Sequence, residues 1–166
     1  MATTYEKIAS TTLTGNQTDI TFSSIPSTYT DLKFVVFGVP NPSAGSIVSQ
    51  LRFNGDSATN YSLTEVYGNG SAEGSTRKTS ANKLAPEGFV TTMPLLFSVD
   101  IFSYAGSTFK TCLMVNSTDR NGAGITDCAV GLYRSTSAIN SITFLSAASN
   151  DLTTGTTATL YGILKA

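Results

Sequence analysis

Residues 138–164 read AINSITFLSAASNDLTTGTTATLYGIL, and this stretch sets the fold class. Ile142 and Phe144 alternate with polar residues, and a second β-rich run surrounds Leu160 and Tyr161. Ser, Thr, Asn and Gly fill the space between, and Asp151 is the sole charge. Alternation bounded by turn residues predicts strands, here a pair that completes a sheet and holds this end of the chain in it.

The same grammar recurs upstream. YEKIASTTL ends before Gly15-Asn16, and DITFSSI, with Ile20 and Phe22 alternating, is closed by Pro26. DLKFVVFGV is the most apolar early run. Leu32, Phe34 and Val36 share one face, and Val35 and Phe37 the other, so it reads as a central strand buried on both sides. IVSQLRF precedes an Asn54-Gly55-Asp56 turn, and NYSLTEVYG alternates again. LLFSVDIFSY places Leu95, Phe97, Val99 and Ile101 on one face, which puts Asp100 on the opposite, solvent or interface side. FKTCLMVNS and TDCAVGLYR flank Asn121-Gly122 as a hairpin. No helical period competes with these signals. The expectation is an all-β chain of about nine or ten strands. It would fold as a single antiparallel β-sandwich, jelly-roll-like, over residues 1–166.

Residues 68–94, GNGSAEGSTRKTSANKLAPEGFVTTMP, break the pattern. They carry little apolar content before Phe89 and gather Glu73, Arg77, Lys78, Lys83 and Glu87. The reading is a long surface excursion with room for one short edge strand. Its charged residues are the candidate contacts to a partner, because connections this long are uncommon without a role.

Composition excludes several functions. Of the 166 residues, 13% are charged and the net charge is -1, so nothing offers a phosphate backbone a basic surface. Ser and Thr occupy 47 positions, which suits strands and turns better than helices. No apolar run is long enough to span a membrane as a helix. MATTYEKIASTTL at the N-terminus lacks the basic start and apolar stretch of a secretory signal.

Chemistry is sparse. With no histidine, Ser-His-Asp and Cys-His catalysis and histidine metal sites are ruled out. Asp56, Glu65 and Asp100 are the candidate carboxylates for glycosidase chemistry, but a turn, an alternating strand and an outward mid-strand position explain them more simply. Tyr61, Tyr67, Tyr104 and Tyr133 could stack sugars, though packing with the hydroxyl at the rim is the simpler reading. DRNGAG at 119–124 has too few acids for a calcium loop. No cofactor is expected. Cys112 and Cys128 lie about equally far from the Asn121-Gly122 turn, a placement that would let them face each other; in a reducing cytosol they read as two buried free thiols.

YEKIASTTLTGNQTDITFSSIPSTYTDLKFVV, LRFNGDSATNYS, VGLYRSTSAINSITFLSA and GTTATLYGI together resemble small β-rich virion structural proteins of tailed bacteriophages. The phrases keep their order over nearly the whole chain, with 68–94 outside the likeness. The resemblance implies a non-enzymatic role on the particle. A capsid decoration (cement) protein on the major capsid protein is the first expectation, and a tail or fibre module binding the host surface the alternative. Strands apolar on both faces and sparse charge point to a homo-oligomer; the resemblance favours a trimer, made in the host cytoplasm and released by lysis. No catalytic residue comes with it.

Overall fold

A computed structural model describes residues 4–43, 47–86, 92–119, 121–146 and 152–164. Eleven strands form among them: β1 (Tyr5–Thr12), β2 (Asp19–Phe22), β3 (Asp31–Gly38), β4 (Gln50–Phe53), β5 (Tyr61–Gly68), β6 (Glu73–Ala81), β7 (Leu95–Phe102), β8 (Lys110–Asp119), β9 (Gly124–Tyr133), β10 (Ile142–Leu145) and β11 (Thr157–Ile163). They divide unequally between an eight-stranded sheet, in the order β1-β11-β3-β7-β8-β9-β5-β6, and a three-stranded sheet, β2-β10-β4. Every named pairing is antiparallel. The chain is therefore the all-β antiparallel sandwich that its alternation predicts.

Inward residues of the two sheets form one core. Phe22 of β2 meets Phe34 of β3 edge to face, and Phe144 of β10 packs on Phe97 of β7. Phe53 of β4 packs on Tyr133 of β9, which stacks on Tyr61 of β5 with centroids 4.8 Å apart. Such ring pairs add to the stabilisation from apolar area removed from water.

The structure departs from the sequence reading in four places. First, β10 and β11 are not partners. β10 is the middle strand of the small sheet, while β11 lies between β1 and β3 in the large one. Alternation specifies which face a residue takes, not which sheet its strand joins. Similarly, Asn54 and Gly55 make the expected tight turn, both left-handed (φ 53° and 65°), yet it leads from β4 in one sheet towards β5 in the other.

Second, β3 is buried on one face only. Leu32, Phe34 and Val36 are fully buried, but Phe37 is 46% exposed, because the small sheet covers a single side of the large one.

Third, part of the 68–94 excursion is a full strand. β6 runs antiparallel along β5 as one edge of the large sheet, from Gly68↔Glu73 to Tyr61↔Ala81 with an irregularity near Leu63. Its polar residues mask it in the sequence, as edge strands favour charge over apolar alternation. The segment then returns inward: Leu84 bridges to Leu51 and is fully buried. A Cβ on Gly131 of β9 would lie 2.9 Å from Leu84 Cδ2, so glycine makes room for this return.

Fourth, Cys112 and Cys128 do not face each other. The β8–β9 hairpin pairs residues of opposite parity, Cys112 with Gly131 and Val115 with Cys128, whereas both cysteines carry even numbers. Cys112 consequently points into the core and Cys128 out of it, and both are free.

Two further glycines make room for tyrosine side chains. A Cβ at Gly162 would sit 2.3 Å from the Tyr29 ring, and one at Gly74 would sit 2.4 Å from the Tyr67 hydroxyl. Glycine at these two positions admits a tyrosine side chain.

Candidate functional site

The uncovered outer face of the large sheet is the candidate site. Strand parity generates it in rows. Val35, Ser98, Val115, Cys128, Val66 and Ser75 follow one another across β3, β7, β8, β9, β5 and β6. The next row runs Lys33, Asp100, Leu113, Val130, Thr64 and Arg77 across the same strands. On the other side, Phe37 opposes Leu96, which opposes Ser117. Val66 is 58% exposed and Val130 50%; Leu96, Val115 and Leu113 are also exposed. Scattered exposed apolar residues are ordinary, but these are cross-strand neighbours and form one band.

Charge frames the band. Lys33 Nζ donates to Asp100 Oδ1 at 2.9 Å and to Oδ2 at 3.0 Å, a half-buried ion pair at the β3–β7 side. Asp100 thus takes the outward position expected of it. At the β6 edge, Arg77 Nε donates to Thr64 Oγ1 at 3.2 Å, which lays the guanidinium stem over β5 beside Val66 and Val130. Next to the β8–β9 hairpin lies an open cleft of about 590 Å³, lined among others by Phe37, Leu96, Gly68, Ser117, Asp119 and Thr126.

The charged residues of 68–94 separate. Glu73 and Arg77 are exposed on β6, two intervals of the outer-face alternation apart. Lys78 takes the other side of β6, and its ammonium donates to the Ala85 carbonyl at 2.6 Å. Lys83 is half-buried, and burial followed by the charges of Arg52 and Lys78 lowers its pKa. Glu87 lies outside the described residues. Of the expected contact residues, then, the outer-face set holds Glu73 and Arg77, while Lys78 ties the strand to the segment behind it.

The carboxylates proposed for sugar chemistry are dispersed. Asp56 closes its turn: Oδ1 accepts from Ala58 N at 2.8 Å, and Oδ2 accepts from Asn60 Nδ2 at 2.8 Å and the Tyr133 hydroxyl at 3.1 Å. The Asn60 bond leads the effects that hold its carboxyl below the ordinary value, against an opposing contribution from burial. Glu65 is buried on the inner face and accepts from Thr76 Oγ1 at 3.2 Å. Of the tyrosines, Tyr61, Tyr104 and Tyr133 are buried, so they pack rather than offer sugar platforms. Lys110, fully buried at the start of β8, donates to the carbonyls of Gly106 and Ser135 and also to that of Thr108; burial lowers its pKa.

Sequence reading missed the outer band because one apolar residue on each of several strands is inconspicuous until register aligns them. The sign available was β3, whose second apolar face had to meet something. Among the described residues, no group of three or more His, Cys, Asp or Glu side chains could hold a metal ion, and no helix is long and apolar enough to cross a membrane.

No family model and no curated protein matches this chain. Among solved structures, a crystal structure of scytalido-glutamic peptidase with a transition state analog inhibitor overlaps 81% of this chain and 66% of its own, at a TM-score of 0.33 and 9% identity. Another, with a peptide-based transition state analog, overlaps 91% and 66% at a TM-score of 0.28 and 8% identity. The chain therefore spans just under two thirds of the length of these peptidases. At this overlap the likeness has no bearing on activity.

Proposed function

We propose that this protein is a non-enzymatic structural component of a phage virion, a decoration protein that binds the capsid lattice through the outer face of its large sheet. The observation that carries this reading is the exposed apolar band on one side of a sandwich whose other side is already covered. A face of that kind suits repeated packing against protein surfaces more than capture of a charged polymer. The ordered resemblance of the sequence phrases to virion proteins supplies the particle. The major capsid protein is the proposed partner, and sister copies, three by expectation, would share it.

The test is sedimentation of the protein with empty capsids. The unmodified protein should co-sediment, and Val66→Lys with Val130→Lys should lose at least tenfold in affinity while keeping its melting temperature. Capsids that bind both proteins equally would end this reading. The open cleft beside the β8–β9 hairpin favours a second one, a tail or fibre module that takes a host-surface ligand. In that case the protein should bind host cells and ignore capsids.

A further inference from the structure

On the inner face of the large sheet, Asn116 of β8 and Asp127 of β9 are register partners. Their exposures are 0% and 1%. Asn116 Nδ2 donates to Asp127 Oδ1 at 2.9 Å. The second oxygen of each group, Asn116 Oδ1 and Asp127 Oδ2, is buried without any hydrogen-bond partner. As a carboxylate, Asp127 can only accept, and the amide oxygen beside it can only accept too. Two orphaned acceptors in one buried pair are costly and rare.

One hydrogen resolves both. A protonated Asp127 Oδ2 donates to Asn116 Oδ1 while Asn116 Nδ2 continues to donate to Asp127 Oδ1. Acid and amide then close a ring of two hydrogen bonds, and neither oxygen is left over. We propose that Asp127 and Asn116 form a proton-binding site, in which the acid is held neutral against the amide and the bound proton completes the inner face of the hairpin.

The surroundings agree. On β5, Glu65 is 1% exposed on the same inner face, and Tyr67 is the register partner of Asp127. On β6, Thr76 donates to Glu65, and Lys78 shares that side but turns its ammonium to the Ala85 carbonyl. On β8, Cys112 and Lys110 are the titratable residues further along this face, and Lys110 turns its ammonium to the carbonyls of Gly106, Thr108 and Ser135. Leu84, Ala85 and Pro86, which follow β6 back over the sheet, add no charge. Burial first, and also the nearby Glu65 charge, raise the Asp127 carboxyl to about 6 despite the bonds from Asn116.

A carboxyl whose folded value is raised stabilises most below its unfolded value, and that stabilisation is lost as pH rises through about 6. Deprotonation would leave both oxygens without donors between β8 and β9, in the hairpin that borders the cleft. This inference does not depend on the proposed function.

Side-chain carboxyl NMR of the unmodified protein tests it directly, with an Asp127 midpoint near pH 6 expected. Asp127→Asn preserves a ring of two amide bonds without a titrating group. Between pH 4 and 7.5 the folding equilibrium constant of the unmodified protein should fall by about 50-fold relative to that variant, less than the full two decades between the raised and ordinary values because the unfolded carboxyl is already half ionised at pH 4. An Asp127 midpoint at or below the ordinary carboxylate value would overturn the proposal, whether or not the variant folds. Equal pH dependence in the two proteins would do the same. So would stabilisation by calcium or magnesium at neutral pH that vanishes in Asp127→Asn, because the ligand would then be a metal ion.

Discussion

Cys112 and Cys128 sit on opposite faces of a single hairpin, one in the core and one on the outer band. No rotamer change brings two thiols together through a sheet. The melting temperature should therefore be the same with and without reductant. Under native conditions a small alkylating reagent should modify Cys128 alone. Cys112, whose thiol burial pushes well above its ordinary pKa, should react only on unfolding. One modified thiol per folded chain, mapped by mass spectrometry, is the expected result; two would mean that β8 opens.

The Lys33–Asp100 pair is part-exposed, so its contribution is modest. Asp100→Asn should cost about 0.5–1 kcal/mol in denaturant unfolding, shrinking as salt is added. A glycosidase role would instead require activity that disappears in this variant.

Asp56 responds to pH in the opposite sense to Asp127. Its folded value is depressed, so its stabilisation is present above the ordinary carboxylate range and is lost as pH falls through the lowered one. Asp56→Ala removes the acceptor of three hydrogen bonds at the turn and should cost roughly 1–3 kcal/mol at neutral pH. The variant should also lose less stability than the parent below pH 4, which acid titration followed by circular dichroism would measure.

Leu84 and Gly131 should be energetically coupled. Leu84→Ala empties a fully buried site and should cost about 2–5 kcal/mol. Gly131→Ala places a methyl against the Leu84 side chain and should destabilise on its own. The double variant should be more stable than the sum of the two losses predicts, because the smaller side chain at 84 admits the methyl. Strict additivity would show that the residues do not share this space.

Shortening 71–85 should also be damaging, contrary to what a solvated loop would predict. The cut removes β6 from β5 and Leu84 from the core. A melting temperature lowered by several degrees is expected, where a true loop would tolerate the change.

How far the sequence carried these features depends on what alternation encodes. It gave the inward faces of β2, β7 and β10, because apolar residues at every second position have one physical reading. It could not give partner strands: Ile142 and Leu160 look alike in sequence, yet they belong to different sheets. It hid β6, where backbone pairing with β5 holds a strand whose side chains are nearly all polar. The Asn116–Asp127 pair was invisible for another reason. Two polar residues eleven apart signify nothing until the hairpin register sets them side by side.

The strand order also dictates when the molecule can fold. β1 hydrogen-bonds to β11, and β2 to β10, so the first two strands have no neighbours until the last two exist. During synthesis Tyr5–Thr12 must leave the ribosome as an unpaired ribbon and remain so through more than a hundred residues. Pairings so distant in sequence form slowly and leave strand edges open to other chains in the interval. The Ser and Thr crowded into β1, and the Lys and Glu at its start, keep that waiting ribbon soluble.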